Sequence, residues 1–327
     1  MRSLANKIAL VTGATRGIGK GIALQLGESG AKVYITGRTL RSKKGSGSLE
    51  ETVDEIKKRG GEAIPVECDH EKSEQVEELF KRISKDQNGQ LDILVNNAYK
   101  GVGTILENMR LKFWEYDPSV WDDINNVGLR NHYICTVFAS KLMIPRQKGL
   151  IVNISSFGGQ RYLFNVPYGV GKAALDRMAV DCGIELKKHK IACLSLMLGA
   201  VRTETMTDLV SKGGEKLKLK SDPNSKTNVG LKEMFDQGET VEFGGKIITN
   251  MASNSKIMKY SGKIVIASDY ADKYGIKDID GRRVPSHREL QNIAPFLPKN
   301  LRFLTSILPG GFKIPQAFID IANSKYI

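Results

Sequence analysis

The sequence predicts an α/β fold, a doubly wound parallel sheet with helices on both faces. Two observations carry the prediction. Short apolar runs of strand length alternate with stretches of helical periodicity from Lys7 to Leu196. The first of those runs ends in a glycine-rich turn that opens directly onto a helical pattern.

Lys7–Thr12 is the first strand, followed by Gly13-Ala-Thr-Arg-Gly17-Ile-Gly19 and a helix from Lys20 to Ser29. Glycines let backbone N–H groups approach a pyrophosphate, and the helix N-terminus adds partial positive charge. The order here is strand, glycine-rich turn, helix, so the turn predicts dinucleotide binding in a Rossmann-type arrangement. Its spacing is G-x-x-x-G-x-G rather than G-x-G-x-x-G. Ala31–Thr36 is the second strand, with Gly37-Arg38 after it. An NAD site would place an acid near this point for the adenosine ribose; none is present. Arg16 and Arg38 can instead flank a ribose phosphate with their planar forks, which favours NADPH over NADH. The alternative is two exposed arginines with no ligand.

A helix over Leu49–Arg59, a strand over Ala63–Cys68 ending in Asp69, a helix over Glu74–Ser84 and a strand over Leu91–Val95 ending in Asn96-Asn97-Ala98 continue the pattern. Ligands of such sheets sit beyond the carboxyl ends of the strands. Asp69 is therefore a candidate for the adenine, and Asn96 for the backbone or the cofactor. As turn formers both also have a structural role. Next come a long helix over Asp117–Leu142, a strand over Gly149–Ile154 delivering Ser155-Ser156, and a helix from Tyr168 to about Lys188. A strand over Ile191–Leu196 follows.

Tyr168 and Lys172 fall one helical turn apart on one face. A cation beside a phenol favours the phenolate, so the tyrosine pKa is expected to fall from about 10 toward working pH. Such a phenol can give a proton to a carbonyl oxygen or take one from an alcohol. Ser156 would hold the carbonyl against it.

Other classes are less favoured. The net charge is +13, from 49 basic and 36 acidic residues, yet the basic clusters are short and carry no interleaved aromatics, so no nucleic acid is expected as a partner. The four cysteines and four histidines show no ligand spacing, so no metal site is expected, and the thiols suit a reduced, cytoplasmic setting. A strand beginning at Lys7 leaves no room for a signal peptide, and no apolar run reaches the roughly 18 residues that span a bilayer.

With these residues laid out, the chain resembles the short-chain dehydrogenase/reductase superfamily over residues 5–205. The resemblance rests on Thr12-Gly-Ala-Thr-Arg-Gly-Ile-Gly19, Asn96-Asn-Ala98, Ser156 and Tyr168-x-x-x-Lys172 in that order. It implies an NADPH-dependent carbonyl reductase acting on steroids and other apolar carbonyl compounds. Tyr168 would be the proton donor, Lys172 would hold the ribose hydroxyls, and Ser156 would orient the carbonyl, with Ser155 as its alternative. With NADP(H) as cofactor, the binding residues would be Gly13, Thr15, Arg16, Gly17, Ile18, Gly19, Arg38, Asp69, Asn96, Ala98, Tyr168, Lys172, Val201 and Thr203.

Two positions depart from the superfamily pattern. Gly128 stands where an asparagine is usual in the long helix, so Asn125 or, as the chosen candidate, Asn126 would substitute. Leu198-Gly199 replaces a Pro-Gly turn. These departures motivate an alternative, a dinucleotide-binding scaffold with weak or no turnover.

A single domain is expected, with the core over about 5–205, a substrate lid or insertion over about 205–255, and a last strand and C-terminal extension over about 256–327. Tyr99, Phe157, Tyr162 and Phe164 are candidates for an apolar pocket, or else for core packing. The tail over 297–327 reads either as packing on the sheet domain or a second subunit, or as a helix lying on a membrane surface. The expected location is the cytoplasm, with attachment to the endoplasmic reticulum membrane through that tail as the variant reading. A homo-oligomer is in keeping with the superfamily.

Overall fold

The computed structural model describes residues 3–42, 47–108, 111–211, 218–220, 228–230, 235, 238–289, 307, 309 and 311–315. Seven strands form one parallel sheet: β1 (Ile8–Val11), β2 (Lys32–Gly37), β3 (Glu62–Glu67), β4 (Ile93–Asn96), β5 (Gly149–Ser156), β6 (Ile191–Leu198) and β7 (Ile264–Ile266). Their order is β3-β2-β1-β4-β5-β6-β7, so the direction of winding reverses between β1 and β4. In such a sheet the crevice at the reversal point takes the ligand.

The strands bury both faces, and the side chains sort by the two-residue period of a strand. Ala9 and Val11 of β1 join the core on one face, while Ile8 and Leu10 join the core on the other. The first face is covered by α1 (Gly17–Glu28) and α2 (Leu49–Lys58), whose Ile22, Leu26, Val53 and Ile56 are buried there. The second is covered by α3 (Ser73–Asp86) through Val76, Leu79, Phe80 and Ile83.

Between β4 and β5 the chain forms a short α4 (Val102–Asn108) and then the expected long helix, which is not uniform. It is α5 (Val120–Asn125), one π turn over Asn126–Arg130, and α6 (Asn131–Met143). A π turn inside an α-helix usually marks a functional position. β5 and β6 each run two residues further than periodicity suggested, because Ser155 and Ser156 pair with Met197 and Leu198. That extension carries Ser156 to the sheet's open edge. α7 (Val166–Leu186) connects the two strands.

The segment expected as a lid divides among its described residues. α8 (Glu204–Ser211) has no buried residue, and two short strands, Lys218–Lys220 and Asn228–Gly230, pair as an antiparallel ribbon. The helix α9 (Phe243–Ser253) belongs to the core. Phe243, Ile247, Ile248 and Met251 are fully buried in the same cluster as α1 and α2. Glu242, at its start, receives Arg59 from the end of α2 and Gln25 from α1. After β7, α10 (Ala267–Tyr274) packs on the same face through Tyr270 and Ala271. Most of the 297–327 tail lies outside the described residues. Among the described residues no helix is long and apolar enough to cross a membrane.

Candidate active site

A cavity of about 1060 Å³ opens at the carboxyl ends of the strands. Gly13, Thr15, Arg16, Gly17, Ile18, Gly19, Arg38, Asp69, Ala98, Val201 and Thr203 line it together with Ser156, Tyr168 and Lys172.

The glycine-rich turn is shaped by its own backbone. Gly13 has φ +69°, and a Cβ there would stand 2.7 Å from Ala98 Cα. A Cβ on Gly19 would stand 2.2 Å from Gly13 O, so neither place accepts a side chain. Asn97 locks the turn: its Nδ2 donates to Thr12 O at 2.8 Å and to Gly13 O at 3.0 Å. Thr12 Oγ1 in turn accepts from the N–H groups of Asn97 and Ala98. Asn96, read as bonding either the backbone or the cofactor, is fully buried, and its Nδ2 donates to the backbone carbonyl of His132 at 3.3 Å. The same Nδ2 donates to Thr136 Oγ1 at 3.0 Å and Asn153 Oδ1 at 2.9 Å, tying β4 to α6 and β5 behind the cavity. Sequence alone could not tell which of two adjacent asparagines faces outward.

The residues fit an anionic dinucleotide on an observation internal to the chain. Glu204 Oε2 accepts from Gly17 N at 2.9 Å, so a carboxylate already stands at the N-terminus of α1, where a phosphate oxygen would stand. Arg16 and Arg38 are exposed on the cavity wall, and among the described residues neither guanidinium has an acidic partner.

The reacting groups meet at the other end of the cavity. Asn165 Oδ1 caps α7 by accepting from Tyr168 N at 2.9 Å, and Pro167 follows in the first turn. The cap fixes where the helix begins, and so aims Tyr168 and Lys172. Tyr168 OH and Ser156 Oγ are 2.6 Å apart, and Gly158 N donates to the same Oγ at 3.1 Å. Ser155, one residue away on the strand, also borders the cavity, but its buried hydroxyl lies beside Asp176, and the serine that meets Tyr168 is Ser156. Lys172 Nζ donates to Ile154 O at 3.0 Å.

Burial overrides the expected fall of the tyrosine pKa. Tyr168 is only 8% exposed, and burial pushes its pKa up to about 12, with the Ser156 hydrogen bond opposing and Asp176 reinforcing the rise. Burial also brings Lys172 down to about 8, against the pull of Asp176. The phenol is thus a proton donor held in its protonated form.

Asn126, the candidate chosen to stand in for the missing asparagine, is not among the residues that line the cavity. It opens the π turn, but the cavity wall is made by Val127, its neighbour. Asn125 is the buried one, and its Nδ2 donates to Pro167 O on α7 at 3.2 Å, a structural tie between helices. Gly128 faces the ring of Tyr99.

Tyr99, Phe157, Tyr162 and Phe164 all line the cavity. Three further groups there carry no sequence signal: Glu239, Arg161 and His287. Glu239 Oε1 accepts from Gly199 N at 2.7 Å, and burial pushes its pKa up to about 8. Arg161 lies 4.8 Å from the Phe157 ring centroid, and the His287 ring meets the same phenylalanine edge-on.

The short chain dehydrogenase family model matches residues 7–213 of this chain. The chain belongs to that family. The mouse protein Dehydrogenase/reductase SDR family member 1 is 43% identical over 323 residues, covering 99% of both chains, and its human counterpart is 43% identical over 320 residues, 98% of both. A metagenomic short-chain oxidoreductase solved in complex with NADP is 24% identical, with a TM-score of 0.60 over 81% of this chain and 98% of that one. As a short-chain dehydrogenase the chain is an oxidoreductase, and the Ser156–Tyr168–Lys172 group is its candidate catalytic set.

Proposed function

We propose that this short-chain dehydrogenase reduces ketones or aldehydes of apolar substrates, steroids and xenobiotic carbonyls among them, with NADPH as the hydride source. The observation that carries the reading is the 2.6 Å contact between Tyr168 OH and Ser156 Oγ in a cavity it shares with the glycine-rich turn. NADPH supplies the hydride when bound. Gly17 N–H and the turn backbone would hold its pyrophosphate, and Arg16 and Arg38 its ribose phosphate.

Ser156 Oγ and Tyr168 OH are close enough to share one carbonyl oxygen, which orients the carbonyl carbon toward the cofactor end of the cavity. As hydride reaches the carbon, negative charge develops on that oxygen, and Tyr168 donates its proton there. A phenol held near pKa 12 is still far more acidic than the alcohol that forms, so proton transfer to the developing alkoxide runs downhill. Lys172 beside it favours the charge left on the phenol oxygen. Tyr99, Phe157, Tyr162 and Phe164 give the substrate end apolar walls, which supports an apolar substrate.

Purified protein mixed with NADPH and a panel of carbonyl compounds should oxidise the cofactor. Tyr168→Phe should lower that rate by about 10²–10⁴ while NADPH still binds. Equal rates for the variant and the wild type would defeat the assignment. Binding with no oxidation on any compound would instead support a dinucleotide-binding scaffold.

A further inference from the structure

We propose that Tyr99 is a positioning residue for Lys172: two glycines clamp its ring against the ammonium, so that the amine is held both in place and charged. The proposal deepens the reductase reading and rests on it for its consequence in turnover.

Three contacts carry it. Lys172 Nζ lies 5.3 Å from the centroid of the Tyr99 ring, within the range of a cation–π interaction, and 6.0 Å from that of Tyr168. A Cβ on Gly128 would stand 2.7 Å and 2.8 Å from two ring carbons of Tyr99. A Cβ on Gly101 would stand 2.7 Å from the Tyr99 hydroxyl. Neither glycine is in the left-handed region, so the backbone does not call for glycine at either place. The ring does. Glycine within a helix costs about 0.5–1 kcal/mol relative to alanine, and at Gly128 that cost makes room for an aromatic side chain. The π turn over Asn126–Arg130 contains Gly128 and so sets the wall against which the ring lies.

The ring also meets Tyr168 edge-on, with centroids 6.2 Å apart at 75°. It therefore touches both members of the Tyr168–Lys172 pair. Its own hydroxyl has no hydrogen-bond partner among the described residues, and burial pushes its pKa upward. Tyr99 is neutral throughout the working range and acts through its face.

Lys172 needs such help. The groups that face it are Asp176 and Tyr168 on α7, His132 on α6, Tyr99 after β4 and the Ile154 carbonyl of β5. Of these, His132 is held neutral, with its pKa lowered to about 3, and Tyr168 is neutral up to about 12. Asp176 shares its carboxylate with Ser195 Oγ at 2.5 Å, and burial raises its pKa. The quadrupole of Tyr99 is thus one of few features that favour a buried ammonium over a buried amine.

The test reads Lys172 itself, without substrate. In protein carrying [13Cε]-lysine, the Lys172 resonance is assigned by its loss in Lys172→Met and titrated by NMR. In Tyr99→Leu the midpoint should fall by about one pH unit, the size expected of a desolvated cation–π contact. Gly128→Ala, which displaces the ring without altering Tyr99, should move it the same way. Tyr99→Phe keeps the face and should restore the midpoint to within about 0.3 unit of wild type. An unmoved midpoint in Tyr99→Leu overturns the proposal, as does a Tyr99→Phe shift as large as that of Tyr99→Leu. Either result leaves the reductase reading standing, since that reading falls only on the NADPH assay with Tyr168→Phe.

Discussion

At Tyr168 withdrawal from water outweighs the Ser156 hydrogen bond that opposes it, and the cation one turn away does not reverse the rise. Spacing in the sequence shows the cation and is blind to the withdrawal, because depth below the surface is set by segments far away in the chain. The same blindness explains Asn96 and Asn126. A turn of asparagines can be located from sequence, but which one faces the ligand depends on a twist of a few tens of degrees. The arginines at the other end of the cavity were singled out by an absence, since no acid follows β2 and Arg38 stands there instead, and both lie on the cavity wall. Arg38→Asp should weaken NADPH binding and strengthen NADH binding, moving the ratio of the two dissociation constants at least tenfold toward NADH, about 1.4 kcal/mol. Titration with each cofactor by fluorescence checks it, and an unchanged ratio removes Arg38 from the phosphate site.

Strands and helices with strong periodicity were legible as elements. α2 and α3 each place apolar residues on one stripe and charges on the other, and both lie within two residues of their expected limits. α9 was hidden. Its Phe-Gly-Gly-Lys opening has poor helix propensity, yet Gly245 lets the backbone of α1 come close, and packing overrides propensity. α8 was hidden too, and it carries the Glu204 carboxylate that sits on the first N–H of α1. That contact competes with any phosphate for one amide. Glu204→Gln keeps an acceptor but removes the charge, so NADPH should bind about three- to tenfold tighter, and NADH by the same factor. Calorimetry with both cofactors reads this directly. A gain confined to NADPH would place the competition at the ribose phosphate instead.

Across the whole molecule the parallel, doubly wound sheet and the side of it that takes the ligand followed from alternation, while the order of the strands and the closure of the cavity after β6 did not. Glu239 belongs to that closure, and it makes stability depend on pH. Its folded carboxyl keeps its proton up to about 8, whereas an unfolded one releases it near its ordinary value of 4.5. Between those values the folded state binds more protons, so this group's contribution to stability falls as pH rises from about 4.5 to 8 and is level above. Glu239→Gln lacks the proton. Its melting temperature relative to wild type should therefore climb between pH 5 and pH 8, and a constant difference across that range would exclude the buried acid. Glu239 also marks where the chain comes back: its N–H donates to Ala200 O at 2.8 Å and its carbonyl accepts from Arg202 N at 2.9 Å. The stretch leaving after Thr203 thus returns beside its own point of departure. A loop whose two feet stand side by side can lengthen at little cost, each doubling adding only about 0.6 kcal/mol of closure entropy. Evolution can therefore redraw the entrance to this enzyme, and with it the range of molecules admitted, without disturbing a single strand of the sheet beneath.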